Sequence, residues 1–197
     1  IVSPLGCGVE LVWQRLLAGQ SGIKKLSTEI ADYLNTKIAG IVSTKEQDQA
    51  GGFAPEEIIP VKDLKKMDRF IQFAIVAAEE AIRQAKWFPK TERQQSRTAT
   101  VIASGIGGFP AIAQAVRTTD SKGVSRLSPF TVPSFLVNLA AGHITIRHGF
   151  KGPIGSPVTA CAAGVQAIGD AARLIRAGEA DIAVCGGTEA CIDLVSL

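Results

Sequence analysis

Only two histidines, one methionine and one tyrosine occur among the 197 residues, and aromatic residues make up 6% of the chain. The four cysteines, Cys7, Cys161, Cys185 and Cys191, lie far apart with no C-x-x-C pair, and neither His143 nor His148 neighbours one of them in sequence. This argues against a disulfide framework and against a structural metal site. The two histidines are five residues apart rather than four, so they do not share a helix face as a metal pair would, and both read as structural. Net charge is also small. A net +3 of mixed sign does not make a nucleic-acid surface, so an anionic partner would have to meet a local basic patch. No apolar run reaches membrane-spanning length, and no signal-peptide pattern opens the chain. A reducing, cytoplasmic setting is expected. The start at Ile1 without an initiator methionine and the apolar stretch Ile192–Leu197 suggest a piece of a longer protein.

What is present is an ordinary globular composition, 46% hydrophobic and 20% charged, in which helical and extended patterns alternate with short glycine breaks. Val9, Val12, Trp13, Leu16 and Leu17 recur at helical spacing after a Gly/Pro loop. Lys37 to Val42 alternates like a short strand, and Ser43 to Gly52 reads as a polar excursion. Lys62 to Lys86 predicts one long helix with Phe70, Ile71, Ala74, Ile75, Ala78 and Ile82 inward, and Lys62, Lys66 and Arg69 as a solvent-facing cationic stripe. Thr98–Ala103 reads as a buried strand running into the turn Ser104-Gly105-Ile106-Gly107-Gly108. That turn lacks the dinucleotide spacing and the P-loop lysine, so close backbone packing explains it better than phosphate binding. A helix is expected from about Ser134 to Arg147, with Leu136, Val137, Ala140 and Ile144 inward. Asp181–Cys185 reads as a second buried strand before Gly186-Gly187. The alternation predicts a layered α/β fold.

One cysteine stands out from this frame. Gly155 to Ala160 leads as an extended segment to Cys161, and the residues after it predict a helix with an apolar stripe at Val165, Ile168, Ala172 and Ile175. A thiol in the first turn of a helix meets unpaired N–H groups and the positive end of the macrodipole, which favour a thiolate and could hold an oxyanion. A small buried cysteine packing as a hydrophobe is the plain alternative.

The chain resembles the β-ketoacyl-acyl carrier protein synthases, and within them the type II elongating enzymes. The resemblance rests on Thr159-Ala160-Cys161-Ala162-Ala163-Gly164, followed by Gly178-Glu179-Ala180-Asp181 and Gly186-Gly187-Thr188-Glu189. Ser3-Pro4-Leu5-Gly6, Lys66-Met67-Asp68-Arg69-Phe70, Ser104–Gly108, Ser128-Pro129-Phe130 and Val132-Pro133-Ser134 match in the same order. Two departures stand beside the nucleophile: Pro157-Val158 is a stiffer pair than expected, and Ala162-Ala163 replaces a polar residue.

The resemblance implies a thiolase-like α-β-α-β-α sandwich of two halves, each with a mixed five-stranded sheet, of which residues 1–197 are the first, nucleophile-bearing half. It implies that Cys161 is the nucleophile and that its backbone N–H is an oxyanion donor. The reaction would be fatty-acid elongation by decarboxylative condensation with malonyl-acyl carrier protein, with no cofactor and no metal. Ile106 would lie along the acyl tunnel, with Val132 and Leu136 closing it from the partner subunit of a homodimer. Lys62, Lys65, Lys66 and Arg126 would dock the acidic acyl carrier protein. The family's histidine and lysine decarboxylation machinery matches nothing here, so this chain alone is expected to be inactive. A non-catalytic chain-length-setting subunit and a coenzyme A-dependent thiolase-like enzyme are the alternatives, the first disfavoured by Cys161 itself.

Overall fold

The computed structural model describes all 197 residues. Its centre is the strand Thr98–Ala103, every residue of which is buried. Such a strand needs cover on both faces, and its Thr/Val/Ile/Ala sequence fits that demand. It pairs in parallel with Ile154–Gly155 on one side and with Ile182–Gly187 on the other, in register Thr98 with Ile182 through Ala103 with Gly187. Parallel neighbours require crossovers, and helices supply them.

Side chains alternate across the central strand and separate two cores. Ile102 joins the larger one, formed by the helices Arg69–Ala85 and Asn138–His148 through Phe70, Ile71, Ile75, Ile82 and Ile144. Val101 and Ala103 point to the other face and meet Ala163, Ala167 and Ala171 of the helix Ala163–Arg176. Helix, sheet and helix therefore stack as three layers, which is the α/β layering expected.

The structure corrects several expectations. The sheet has three strands, all parallel, rather than five mixed; the other strands are two or three residues long and pair among themselves, Val2–Ser3 with Gly6–Cys7 and Ile23–Lys25 with Ile38–Gly40. The long helix from Lys62 is two helices, Val61–Leu64 and Arg69–Ala85, because Asp68 adopts an extended conformation and its carboxylate caps the second helix by accepting from Phe70 N–H. The helix expected from Ser134 is also divided, into Thr131–Phe135 and Asn138–His148, with Leu136 extended between them and turned outward.

The largest reversal is in the helix after Cys161. Its inward face is Ala163, Ala167 and Ala171, whereas Val165 is 75% exposed, Ile168 55% and Ile175 42%. The cause is close approach: a Cβ on Gly187 would sit 2.9 Å from the Cα of Gly164, so only small residues fit between helix and sheet. The bulky apolar stripe is left on the surface of the three layers.

Candidate active site

The C-terminal ends of parallel strands are where open α/β sheets place their ligands. Here the ends of Thr98–Ala103 and Ile182–Gly187 meet the start of the helix Ala163–Arg176. Between them lies a cleft of about 470 Å³ lined by Ser104, Gly105, Ile106, Ala160, Cys161, Gly164, Thr188, Glu189 and Cys191, among others. Cys161 is exposed. It sits in the 3-10 turn Ala160–Ala162 just ahead of the helix, not in the helix's first turn, and the helix N-cap is Ala162. The backbone N–H of Cys161 makes no hydrogen bond within the protein.

Ala160 has φ +50°, in the left-handed region. A side chain there costs roughly 1–2 kcal/mol and persists only where the surroundings hold it. They do. Ala162 N–H bonds to Thr159 C=O at 3.1 Å, and the Thr159 hydroxyl donates to Gln166 Oε1 at 2.8 Å, one turn into the helix. The strained residue turns the chain sharply and presents Cys161 at the cleft.

The opposite wall is the turn Ser104–Gly108. Glu189 holds it: Oε1 accepts from the Ser104 hydroxyl at 3.0 Å, and Oε2 accepts from Gly105 N–H at 2.6 Å. Ser104 Oγ in turn accepts from Gly107 N–H at 2.9 Å. Thr188 N–H continues the strand ladder to Ala103 C=O, and its hydroxyl donates to Phe70 C=O at 2.6 Å. Cys191 shares the cleft; burial and the neighbouring Glu189 push its thiol up to about 12, so it stays protonated.

The other expected residues fall in two places. Ile106 lines the cleft with Cys161. Val132 and Leu136 do not; both are exposed on the segment that follows Phe130. Lys65 and Arg126 come together at a separate groove of about 270 Å³, with Phe130, Thr131 and Ser134. Lys66 reaches the same side, its ammonium 5.0 Å from the centre of the Phe130 ring and 2.7 Å from Asp63 Oδ1. Lys62 is exposed on its short helix and does not line the groove. Arg69 leaves the expected stripe altogether and packs over Phe53 and Phe73 at 5.5 and 5.2 Å.

His143 and His148 lie on the helix Asn138–His148, away from the cleft. His148 stacks on Phe150 with ring centres 5.3 Å apart, and burial lowers the pKa of both imidazoles. Glu189 and Ser104 were the site residues that sequence reasoning passed over. Each occurs in a quoted motif, Gly186-Gly187-Thr188-Glu189 and Ser104–Gly108, but nothing in either motif says that the two meet. No helix is long and apolar enough to cross a membrane.

A cysteine presented by a strained turn at the ends of parallel strands, above a helix–sheet–helix stack, defines a thiolase-like ketosynthase fold. Solved neighbours bear this out. The ishigamide ketosynthase/chain length factor superposes with a TM-score of 0.78 over 95% of this chain and 50% of that one, at 24% identity. A type II PKS acyl-carrier protein in complex with its ketosynthase bound to the hexaketide gives 0.68 over 73% and 41%, at 25% identity.

The model of the β-ketoacyl synthase N-terminal domain matches residues 1–197, and the chain belongs to that family. It is 44% identical over 197 residues to 3-oxoacyl-[acyl-carrier-protein] synthase 2 of Rhizobium meliloti (strain 1021), covering 100% of this chain and 47% of that protein. Its identity to the mitochondrial 3-oxoacyl-[acyl-carrier-protein] synthase of Arabidopsis thaliana is 39% over 213 residues, covering 100% and 45%. The chain thus spans about half the length of the curated relatives it matches.

Proposed function

We propose that this chain is the nucleophile-bearing half of a 3-oxoacyl-acyl carrier protein synthase acting in fatty-acid elongation. The observation that carries the reading is the exposed Cys161 on the Ala160 turn, facing a cleft at the strand ends. In the first half-reaction the Cys161 thiolate attacks the carbonyl of an acyl thioester on the carrier protein. The tetrahedral oxyanion is met by the free N–H of Cys161, one arm of an oxyanion hole, where a lost donor typically costs about 3–4 kcal/mol. The carrier protein then leaves as its thiolate, balancing the charge of the attacking Cys161 thiolate, and the acyl group stays on Cys161. In the second, malonyl carrier protein loses CO2 and its carbanion attacks the Cys161 thioester, releasing the Cys161 thiolate and a 3-oxoacyl chain longer by two carbons on the carrier protein.

This chain brings no histidine or lysine to the cleft, since His143 and His148 sit elsewhere, and the one carboxylate there, Glu189, is bonded to Ser104 and Gly105. The decarboxylation groups come from a second half of similar length, in keeping with the half-length match to the relatives. The exposed stripe Val165, Ile168 and Ile175 packs against that half, and residues 1–197 alone are inactive. Ile106 walls the acyl tunnel. Val132 and Leu136, exposed and outside their own chain's cleft, serve the tunnel of a second copy in a homodimer. Lys65 and Arg126 at their groove, with Lys66 and Lys62 beside it, receive the acidic carrier protein and affect encounter more than chemistry. The solved ketosynthase in complex with an acyl-carrier protein supports that partner.

The test is a condensation assay on the full-length protein with acyl and malonyl carrier proteins. Formation of 3-oxoacyl carrier protein with matching CO2 release is expected. Acylation of Cys161 from coenzyme A but not from carrier protein would instead identify a thiolase-like enzyme. An intact protein that cannot be acylated at all would point to a chain-length-setting subunit.

A further inference from the structure

The turn that carries Ile106 is fastened from one point. Glu189 lies just beyond the end of the strand Ile182–Gly187, and both of its carboxylate oxygens are used as acceptors, from the Ser104 hydroxyl and from Gly105 N–H. Ser104 is 2% exposed and passes the restraint on to Gly107 N–H. The two peptide N–H groups on either side of Ile106, those of Gly105 and Gly107, are therefore fixed by one carboxylate, the second through a serine. The space is tight: a Cβ on Gly105 would lie 2.7 Å from Glu189 Oε2, and Gly107 needs its positive φ of 72°. The next residue, Gly108, is pinned from outside by its N–H bond to Phe135 C=O at 3.1 Å. Ile106, held at both flanks, projects into the cleft opposite Cys161.

Neither Glu189 oxygen is hydrogen-bonded to the Cys161 thiol, and both are turned to the Ser104–Gly107 turn, so a role as base for the nucleophile does not follow from its place in the cleft. We propose that Glu189 and Ser104 are positioning residues that set the Ile106 wall and thereby select among acyl chains by length. This rests on the reading of Cys161 as an acyl acceptor. A long acyl chain must pass the Ile106 wall, whereas a short one occupies little more than the cleft mouth, so loosening the turn should penalise the long chain more. A one-ångström displacement of a positioning group is enough to cost much of the rate.

The experiment uses the full-length protein with Glu189→Ala, Glu189→Gln and Ser104→Ala. Loading of Cys161 from lauroyl and from butyryl carrier protein is compared with alkylation of Cys161 by iodoacetamide, a reagent small enough to ignore the wall. In Glu189→Ala, lauroyl loading should fall about tenfold or more, the scale of a lost charge-assisted hydrogen bond. Butyryl loading should fall less than about threefold and alkylation should stay within about twofold of wild type. Glu189→Gln should restore most of the lauroyl rate, since its carbonyl can accept from Gly105 N–H while its amide donates to Ser104 Oγ. Ser104→Ala should fall between, and if Glu189→Ala does not fold, this variant carries the same comparison.

An unchanged lauroyl-to-butyryl ratio in the alanine variants would overturn the proposal. So would a drop in alkylation parallel to the drop in loading, which would mean that Glu189 acts on the thiol itself. Failure of Glu189→Gln to rescue would replace positioning by a charge effect. A wild-type protein that loads neither chain refutes the acyl-acceptor reading instead, and the two failures are thereby told apart.

Discussion

Oδ2 of Asp68 accepts a hydrogen bond from Ala111 N–H at 3.0 Å, while Oδ1 of the same carboxylate accepts from Phe70 N–H at 3.2 Å. One side chain caps the starts of two helices, Arg69–Ala85 and Phe109–Lys122, which are remote in sequence. Asp68 N–H also bonds to Ser134 C=O at 3.0 Å, so the residue joins the segment beneath the Lys65–Arg126 groove to the turn that walls the cleft. Asp68→Ala should destabilise the full-length protein by about 2 kcal/mol, because two helix-start donors lose their acceptor in a buried place. Asp68→Asn keeps one carbonyl oxygen and avoids burying a charge, so it should cost about half as much. Urea denaturation midpoints check both.

Two non-glycine residues have a left-handed φ, Lys86 and Ala160, and the φ of +50° at Ala160 directs Cys161 into the cleft. A β-branched residue tolerates that conformation least. Ala160→Val should therefore destabilise by about 2 kcal/mol and cut acyl loading of Cys161 by more than the stability loss alone explains. Ala160→Gly should be within about 1 kcal/mol of wild type, relief of strain being offset by a more flexible unfolded chain. Denaturation and loading rates, measured on the same preparations, separate the two effects.

The exposed stripe on the helix Ala163–Arg176 gives opposite expectations for the isolated 197 residues and for the full-length protein. Ile168→Lys should make the isolated segment more soluble and less prone to self-association, since it breaks an apolar patch. In the full-length protein the same change should cost about 2–3 kcal/mol, because it places a charge where an apolar side chain is packed. Light scattering on the segment and denaturation of the whole chain check the pair. Equal, small effects in both would mean that nothing covers the stripe.

Acid should weaken the fold through one buried cluster. Glu79 accepts from Arg83 Nε at 2.7 Å and Arg147 Nε at 3.4 Å, and His148 Nε2 lies 3.4 Å away. Burial pushes the Glu79 carboxyl up, but the bonds from Arg83 and Arg147 and the His148 charge outweigh it and leave it below its ordinary value. Burial lowers the His148 imidazole, against the pull of Glu79 and with help from Arg147 and Arg83. A histidine whose folded pKa lies below its unfolded 6.5 lets the unfolded chain take up protons first, so stability falls as pH drops through that value. The Glu79 contribution is present above its unfolded 4.5 and is lost as pH falls further. Denaturation between about pH 7.5 and 5.5 should show wild type losing stability, and His148→Gln should flatten the slope.

Much of this was legible in the residues. The central strand and the glycine turn after it stand where their patterns implied, because a buried strand and the segment at its end are local signals, whereas an Ile106 beside Cys161 was implied only by the family resemblance. What misled was the reading of apolar size as burial. Val165, Ile168 and Ile175 looked inward by periodicity, yet the closeness of Gly164 to Gly187 reserves the sheet side for alanine. The long helix from Lys62 was divided by Asp68, a cap that cannot be told from a solvated charge until Ala111 is seen beside it. Glu189 escaped notice for a related reason: its partners, Ser104 and Gly105, are more than eighty residues away, and only the parallel register of Thr98–Ala103 with Ile182–Gly187 brings them together.

The central claim is that Cys161 carries the acyl group. The direct measurement is to incubate the full-length protein with acyl carrier protein bearing a labelled acyl chain and to map the modified peptide by mass spectrometry. The acyl mass should appear on the peptide containing Cys161, disappear on treatment with hydroxylamine as a thioester must, and be absent in Cys161→Ala. An acyl group on Cys7, Cys185 or Cys191 with Cys161 unmodified, or undiminished loading in Cys161→Ala, would contradict it.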